Sequence, residues 1–373
     1  MKLVYIRRQL GGGNGDSVPS RRISVRRLCL AFVIAAAIAA TGSVALAQHE
    51  HGAGPYRVLK TAKVGGEGGF DYVQADSVGR RLYIARSGAA ARITVFDLDT
   101  LAPAGEIPVS GTTAHGVAVD PKVHHGFVTS KPVMMFDSST LKTIKTIDVQ
   151  GNPDGIFFDA FNERVYDLSH SAPNVTVIDA KDGSVVGTID IGGAPEQTVS
   201  DGAGHLYIDI EDKGSIAVVD AKTLAVTAKY DLAGKGGTCA GLAIDAQNHI
   251  LFATCRNPQT MVILSADDGK IITTLPIGMG TDGAVFNPAT MEAFSSQGDG
   301  TLTVVKENSP TSFEVEQNVT TMPTAKTLTL DRKTNHILLT AAEFGPPPAD
   351  APAGRPARGP MVAGSFSILV VGK

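Results

Sequence analysis

The chain has 373 residues, 43% hydrophobic and 19% charged, with 41 Gly, no Trp and a formal charge of −4. The composition is globular, and the length allows one large domain or two. Mild acidity leaves no nucleic-acid footprint, because there is no basic excess to neutralise phosphates.

The N-terminus reads as an address. Arg21, Arg22, Arg26 and Arg27 precede an apolar run at 28–40, and Ala45-Leu46-Ala47 supplies an A-x-A cleavage site. Residues 1–47 are therefore expected to be a signal peptide, and residues 48–55 a flexible mature N-terminus starting at Gln48. The apolar run is short for a membrane span and no other stretch is long enough, so the mature chain is expected to be periplasmic or secreted, with no membrane span. SRRISV at 20–25 partly matches a twin-arginine signal but lacks its usual Phe, so the general secretory route is preferred. Cys29 belongs to the leader. Cys239 and Cys255 remain, either as a disulfide between adjacent strands or as two free thiols. His49 and His51 belong to the tail and are read as bland.

The rest of the chain is a repeat. An acidic turn recurs as Asp76, Asp120, Asp159, Asp201, Asp245, Asn287 and Asp331, at spacings of 39 to 44 residues, the range of propeller blades. Each turn follows a short strand and precedes a second one. A third strand comes next: ITVFDLDTL, VMMFDSSTL, VTVIDAKDG, IAVVDAKTL, MVILSADDG and LTVVKENSP fall into register, and FSILVVGK ends the chain. Alternation and β-branched residues predict a strand each time. Asp97, Asp137, Asp179 and Asp220 then open a turn by accepting backbone N–H groups. Ser265 and Lys306 replace that Asp, which predicts looser turns there. Fourth strands follow in six units. The seventh lacks one, while YRVLKTAKVGG near the start fits the fourth-strand pattern. The expectation is an all-β, seven-bladed propeller of four-stranded blades over residues 56–373, closed by an N-terminal strand that leaves no open edge. Residues 345–364, rich in Pro, Gly and Ala, interrupt blade 7 as a loop.

RLYIARS, RVYDLSH, HLYIDIE, NVTVIDA and AIDAQNHILFAT resemble the YVTN-type, YncE-like β-propeller repeat of exported proteins. The resemblance covers nearly the whole mature chain. It implies the fold and leaves the activity open. A WD40 assignment is disfavoured because there is no Trp.

Strand order assigns loops to faces. Loops entering first strands and loops from second to third strands share one end of the ring, and they bring polar residues to a central funnel. His115, Asp154, Glu196 and Asp282 come from the first set, His170 and Arg256 from the second. These six are the candidate ligand-binding residues. Asp154, Glu196, Asp282 and His115 are also candidates for a divalent cation, although no ligand spacing typical of a metal motif is visible. His124, His125, His205, His249 and His336 fall just before second strands on the opposite face and are assigned no chemistry.

No GxSxG, Walker loop, dinucleotide fingerprint or HExxH is present, so no catalytic residue is named. The expectation is a monomeric binding or scaffold module without a cofactor. Its partner would be a small molecule, a peptide or an envelope protein, and the acidic ring argues against nucleic acid. The alternative is a metal-dependent hydrolase of the lactonase kind, which the funnel carboxylates and histidines would serve.

Overall fold

A computed structural model describes residues 54–347 and 358–373. The expected signal peptide, nearly all of the expected flexible tail and the middle of the Pro-rich loop lie outside these residues.

The described residues form 28 strands in seven antiparallel sheets of four. Blade 3 shows how the sequence makes one unit. Pro153–Asp159, Arg164–Ser169, Val175–Asp179 and Val185–Ile189 pair in chain order from the axis outward. The two middle strands are buried on both faces, which is why VYDL and VTVI carry almost no alternation. The outer strand is largely exposed. Tyr166, Leu168, Val175 and Val177 pack against Leu206, Ile208 and Ile210 of blade 4, so one blade's face is completed by the next. Successive first strands touch each other around the axis.

The acidic turns work as the sequence implies. The carboxylates of Asp76, Asp120, Asp159, Asp201, Asp245 and Asp331, and the Asn287 amide oxygen, each accept a backbone N–H two residues on. Each turn then needs a left-handed residue. Arg80, His124, Glu163, His249, Met291 and Asn335 take that conformation at φ between 55° and 60°. His124 and His249 are thus turn residues. Each immediately precedes a second strand, as expected, whereas His125, His205 and His336 are the first residues of theirs. Ser265 keeps its turn by accepting from Asp267 N at 3.2 Å. Lys306 does not loosen blade 6: Thr301–Ser309 and Ser312–Thr320 simply run on past it as a longer hairpin.

Closure uses both ends of the propeller. Arg57–Lys63 pairs antiparallel with Ser367–Gly372 as the outer strand of blade 7. Tyr56 packs edge-on to Phe294 of blade 6 with ring centroids 5.3 Å apart. Its hydroxyl donates to the fully buried Glu292, which Lys373 Nζ also reaches at 2.8 Å. Burial alone would lift the Glu292 carboxyl, but Lys373 and the hydroxyl donors outweigh it and hold the group below its usual range. At the seam between blades 7 and 1, Arg80 donates to both oxygens of Asp331 at 2.7 and 2.9 Å. The Pro-rich loop is anchored where it leaves the blade. Gly345 N donates to Pro360 O and Val362 N to Glu343 O, each at 2.8 Å.

In blade 5, Cys239 and Cys255 stand directly opposite each other and are joined by a disulfide, both side chains buried.

Tyr56→Phe removes one donor from a buried carboxylate. It is expected to cost about 1–3 kcal/mol in urea unfolding, with the m-value unchanged. A variant as stable as the parent would mean that the seam is held by the ladder and the apolar contacts alone.

Candidate functional site at the channel mouth

The site is built by a slip in strand register. In blades 1, 3, 4, 5 and 6 the first strand loses its pairing within its first two paired residues, between Phe70 and Val73, Pro153 and Ile156, Pro195 and Thr198, Cys239 and Gly241, and Thr281 and Ala284. A bulge releases a residue from the ladder and re-aims its side chain. The released residues include Asp71, Asp154, Glu196, Ala240 and Asp282. His115 and Lys326 hold the same position ahead of the shorter first strands Val117–Asp120 and Leu328–Asp331. Blade 5, with only Ala240 there, supplies Arg256 from the end of Ile250–Arg256 instead.

These side chains close a circuit in which every blade boundary carries one ion pair. Lys326 Nζ lies 3.6 Å from Asp71, and His115 Nδ1 lies 2.9 Å from Asp71 and 3.3 Å from Asp154. His170 Nε2 is 3.4 Å from Asp154 and 3.5 Å from Glu196. Arg256 bonds Glu211 at 2.6 Å and also reaches Asp282, which contacts Lys326 in turn. Backbone placement is specific. Thr129 Oγ1 accepts from both His115 N and Gly116 N, at 3.2 and 2.7 Å. Ser169 Oγ accepts from Asn152 N at 2.8 Å, tying the loop that carries His170 to the one that carries Asp154. Gly151 is needed at that junction: its φ is +73°, and a Cβ would sit 2.2 Å from Ser169 Oγ.

Below the charges the channel narrows. The next residue in each blade is Tyr72, Gly116, Gly155, Gln197, Gly241, Gly283 or Thr327. A Cβ on Gly241 would lie 2.6 Å from the Gly283 carbonyl carbon, so glycine sets how closely these strands approach. Tyr72 reaches from blade 1 to donate to Glu196 Oε2 of blade 4 at 2.9 Å. The Gln197 amide spans blades 4, 5 and 6, accepting from Leu242 N and Ala284 N and donating to Ala284 O. Beneath this waist is a cavity of about 410 Å³ with mixed walls that include Val73, Val119, Ile156 and Leu330 beside Gln74 and Thr198.

Protonation follows from this packing. The hydrogen bond that Asp71 accepts is the main cause of a raised His115 pKa, and the Glu196 carboxylate 3.5 Å away is the main cause that pushes His170 up to about 9. Burial lifts Asp154 to about 6, although His115 opposes the shift. Burial also raises Asp282 despite Lys326 and Arg256.

All six sequence candidates, His115, Asp154, Glu196, Asp282, His170 and Arg256, reach this mouth. The metal-candidate set changes. Among the described residues, ligand atoms come within 4.8 Å of one another in two triads, Asp71–His115–Asp154 and Asp154–His170–Glu196. Asp282 belongs to neither, because Arg256 and Lys326 occupy it. The sequence did hold a signal for Asp71 and Lys326 as partners. Asp71, His115, Asp154, Glu196, Ala240, Asp282 and Lys326 all lie five residues before their blade's turn acid or Asn287.

The molecule is thus a seven-bladed β-propeller with a charge-ringed channel mouth. In sequence it is similar to the uncharacterized protein YncE of Salmonella typhi, and equally to that of Salmonella typhimurium strain LT2: 22% identity over 193 residues, 50% of this chain and 54% of each relative. The match therefore spans about half the length of these curated relatives, and with the seven-bladed ring it supports a YncE-like propeller. No protein-family model matches the chain. Among solved structures, U3-55K superposes with a TM-score of 0.67 at 10% identity, covering 84% of this chain and 98% of that one. A chain of the mitotic checkpoint complex gives 0.66 at 11% identity, covering 76% and 88%. At such identities the likeness is one of fold.

Two acids lie behind the mouth. Asp167 and Asp209 are fully buried, and none of their carboxyl oxygens has a hydrogen-bond partner among the described residues. Burial pushes both well above the usual carboxylate range, with Asp154 adding to the shift at Asp167 and Glu196 at Asp209. The unfolded chain ionises such acids above about pH 4, whereas the folded chain holds them neutral. Their contribution to stability is therefore full below that pH and is lost as pH rises. Asp167→Asn is expected to raise Tm by a few degrees at pH 8 and to change little at pH 4. A Tm difference independent of pH would show that Asp167 does not titrate abnormally.

Proposed function

We propose that this propeller is an exported binding module that takes a small, charge-bearing polar ligand at the channel mouth. The observation that carries this is the meeting of side chains from all seven blades at one partly exposed bowl, floored by Tyr72 and Gln197. The histidine–carboxylate half, from blades 1 to 4, can receive cationic or hydrogen-bonding groups. The Arg256–Lys326 half can receive a carboxylate. A rigid ring holds these groups in place without a ligand, which lowers the ordering cost of binding. The fold suits a binding or scaffold role, and its neighbours share only that fold. Export rests on the Arg-rich, apolar and A-x-A pattern of residues 1–47, and a buried disulfide agrees with an oxidising compartment.

A second reading, a metal-dependent hydrolase, has one observation in its favour. The Asp154–His170–Glu196 triad faces the mouth with its histidine 44% exposed, which leaves room for a substrate or water beside it.

Two measurements test these statements. Expressed with its own leader in a bacterial host, the chain should be recovered from the periplasm or medium beginning at Gln48, and its cysteines should titrate only after reduction. Recovery of an uncleaved cytoplasmic chain would end the export reading. For binding, a thermal-shift screen of amino acids, dicarboxylates and diamines in chelator should find compounds that raise the parent Tm but leave Asp154→Asn or Arg256→Gln unmoved. Equal shifts in parent and variants would place the ligand elsewhere.

A further inference from the structure

We propose that His170 Nε2, Asp154 Oδ2 and Glu196 Oε1 form a three-ligand site for one divalent transition-metal ion, zinc fitting best, with an open position toward the mouth. This deepens the reading of the mouth as the ligand-binding site and rests on it.

The spacing is the first support. His170 Nε2 stands 3.4 Å from Asp154 Oδ2 and 3.5 Å from Glu196 Oε1. These distances exceed the usual range of about 2.7–3.2 Å for N–H···O hydrogen bonds. These two match the edge of a tetrahedron around zinc, where ligands about 2.0–2.2 Å from the ion lie about 3.3–3.6 Å from each other, and the two carboxylates offer oxygens within 4.8 Å of one another. The neighbouring triad differs, because its His115–Asp71 separation of 2.9 Å is that of an ordinary hydrogen bond. The geometry therefore selects one of the two triads for the ion and leaves the other to support it.

The support is the second observation. Each ligating carboxylate has its remaining oxygen engaged. Asp154 Oδ1 faces His115 Nδ1 at 3.3 Å, and Glu196 Oε2 accepts from the Tyr72 hydroxyl at 2.9 Å. Outer partners of this kind fix the orientation of metal ligands. The ligands themselves come from the bulged first strands of blades 3 and 4 and from the loop tied down by Ser169. Asp154 and Glu196 are largely buried, with side chains 19% and 9% exposed, while His170 lines the opening.

Charge gives the third. Asp154 and Glu196 offer oxygens close to one imidazole, and Asp71 stands beside them across His115. The fixed cations Arg256 and Lys326 are turned to Glu211, Asp282 and Asp71 on the other side of the mouth. The triad side is thus rich in acids, and among the described residues no Lys or Arg forms an ion pair with Asp154 or Glu196; Lys131 nearby bonds the Gly151 carbonyl instead.

The test uses the full mature chain carrying His49→Gln and His51→Gln, so that the tail cannot bind metal. After chelator treatment, zinc chloride alone is titrated by calorimetry, and bound metal is counted by elemental analysis. One zinc per chain is expected. His170→Ala, Asp154→Asn and Glu196→Gln should each weaken it at least 100-fold, and Tyr72→Phe about 10- to 100-fold, with His249→Ala unchanged. Cobalt(II) bound to the parent should show the strong visible bands of a tetrahedral site, a readout that does not depend on the variants folding. Absence of stoichiometric zinc, equal affinity in all ligand variants, or an octahedral cobalt spectrum would each overturn the proposal. The thermal-shift screen in chelator reads the small-ligand proposal separately: a ligand found there without zinc binding overturns only the metal site, and zinc binding without a ligand overturns only the small-ligand reading.

Discussion

The structure depends on a constraint that acts on every blade: a four-stranded sheet with two apolar faces has to be covered on both sides. Five blades, the second to the sixth, are covered on both faces by their sequence neighbours. The seventh meets the first only if the chain's two ends share a sheet, and the strand Arg57–Lys63 beside Ser367–Gly372 makes that connection. The contacts beyond the ladder show how much is invested there. Tyr56 inserts against Phe294 and caps Glu292, Gln317 bonds the Tyr56 backbone in both directions, and Arg80 grips Asp331 across the last seam. Because of Arg80, and despite burial, the Asp331 carboxyl is held far below its usual range.

Closure is also what makes the mouth. A position repeated seven times becomes a ring only when the blades form one. Glycines at the waist let the first strands crowd together, and in blades 1, 3, 4 and 6 the bulge above them turns a carboxylate toward the axis. The charges then satisfy each other across boundaries, so that the Lys326–Asp71 pair exists only because blade 7 sits beside blade 1. Stability and site share this arrangement. Packing alone would be served by apolar residues here, since replacing buried ion pairs by apolar groups is often neutral or stabilising. The charged ring therefore points to use rather than to stability, as do the two unpartnered acids behind it.

Much of this was legible in the residues. Seven turn acids at near-regular spacing, third strands such as VTVID, and a fourth-strand pattern at the wrong end of the chain specify a closed seven-bladed ring. Strand order alone placed His115, Asp154, Glu196, Asp282, His170 and Arg256 at one end. Side-chain direction inside a bulge was not legible, because it depends on where pairing slips, and alternation says nothing about that. Asp282 illustrates the loss: a carboxylate on a funnel loop suggests a metal ligand, yet its real neighbours are Arg256 and Lys326, brought near by blade order. Nothing in the sequence singles out Tyr72 and Gln197, because their reach across the channel is a property of the closed ring. The five-residue offset from each turn acid was visible in principle, but it acquires meaning only once the strands are known to converge.

The charge circuit around the mouth can be measured most directly at His170, whose imidazole is held by Glu196 and Asp154. In chelator, with its ring signals assigned by their loss in His170→Gln, an NMR titration should give a pKa of about 9, falling toward the ordinary value in Glu196→Gln. A parent His170 that titrates near 6.5, unmoved by that substitution, would contradict the account: the histidine would then stand in solvent, and the ring of paired charges would be broken between blades 3 and 4.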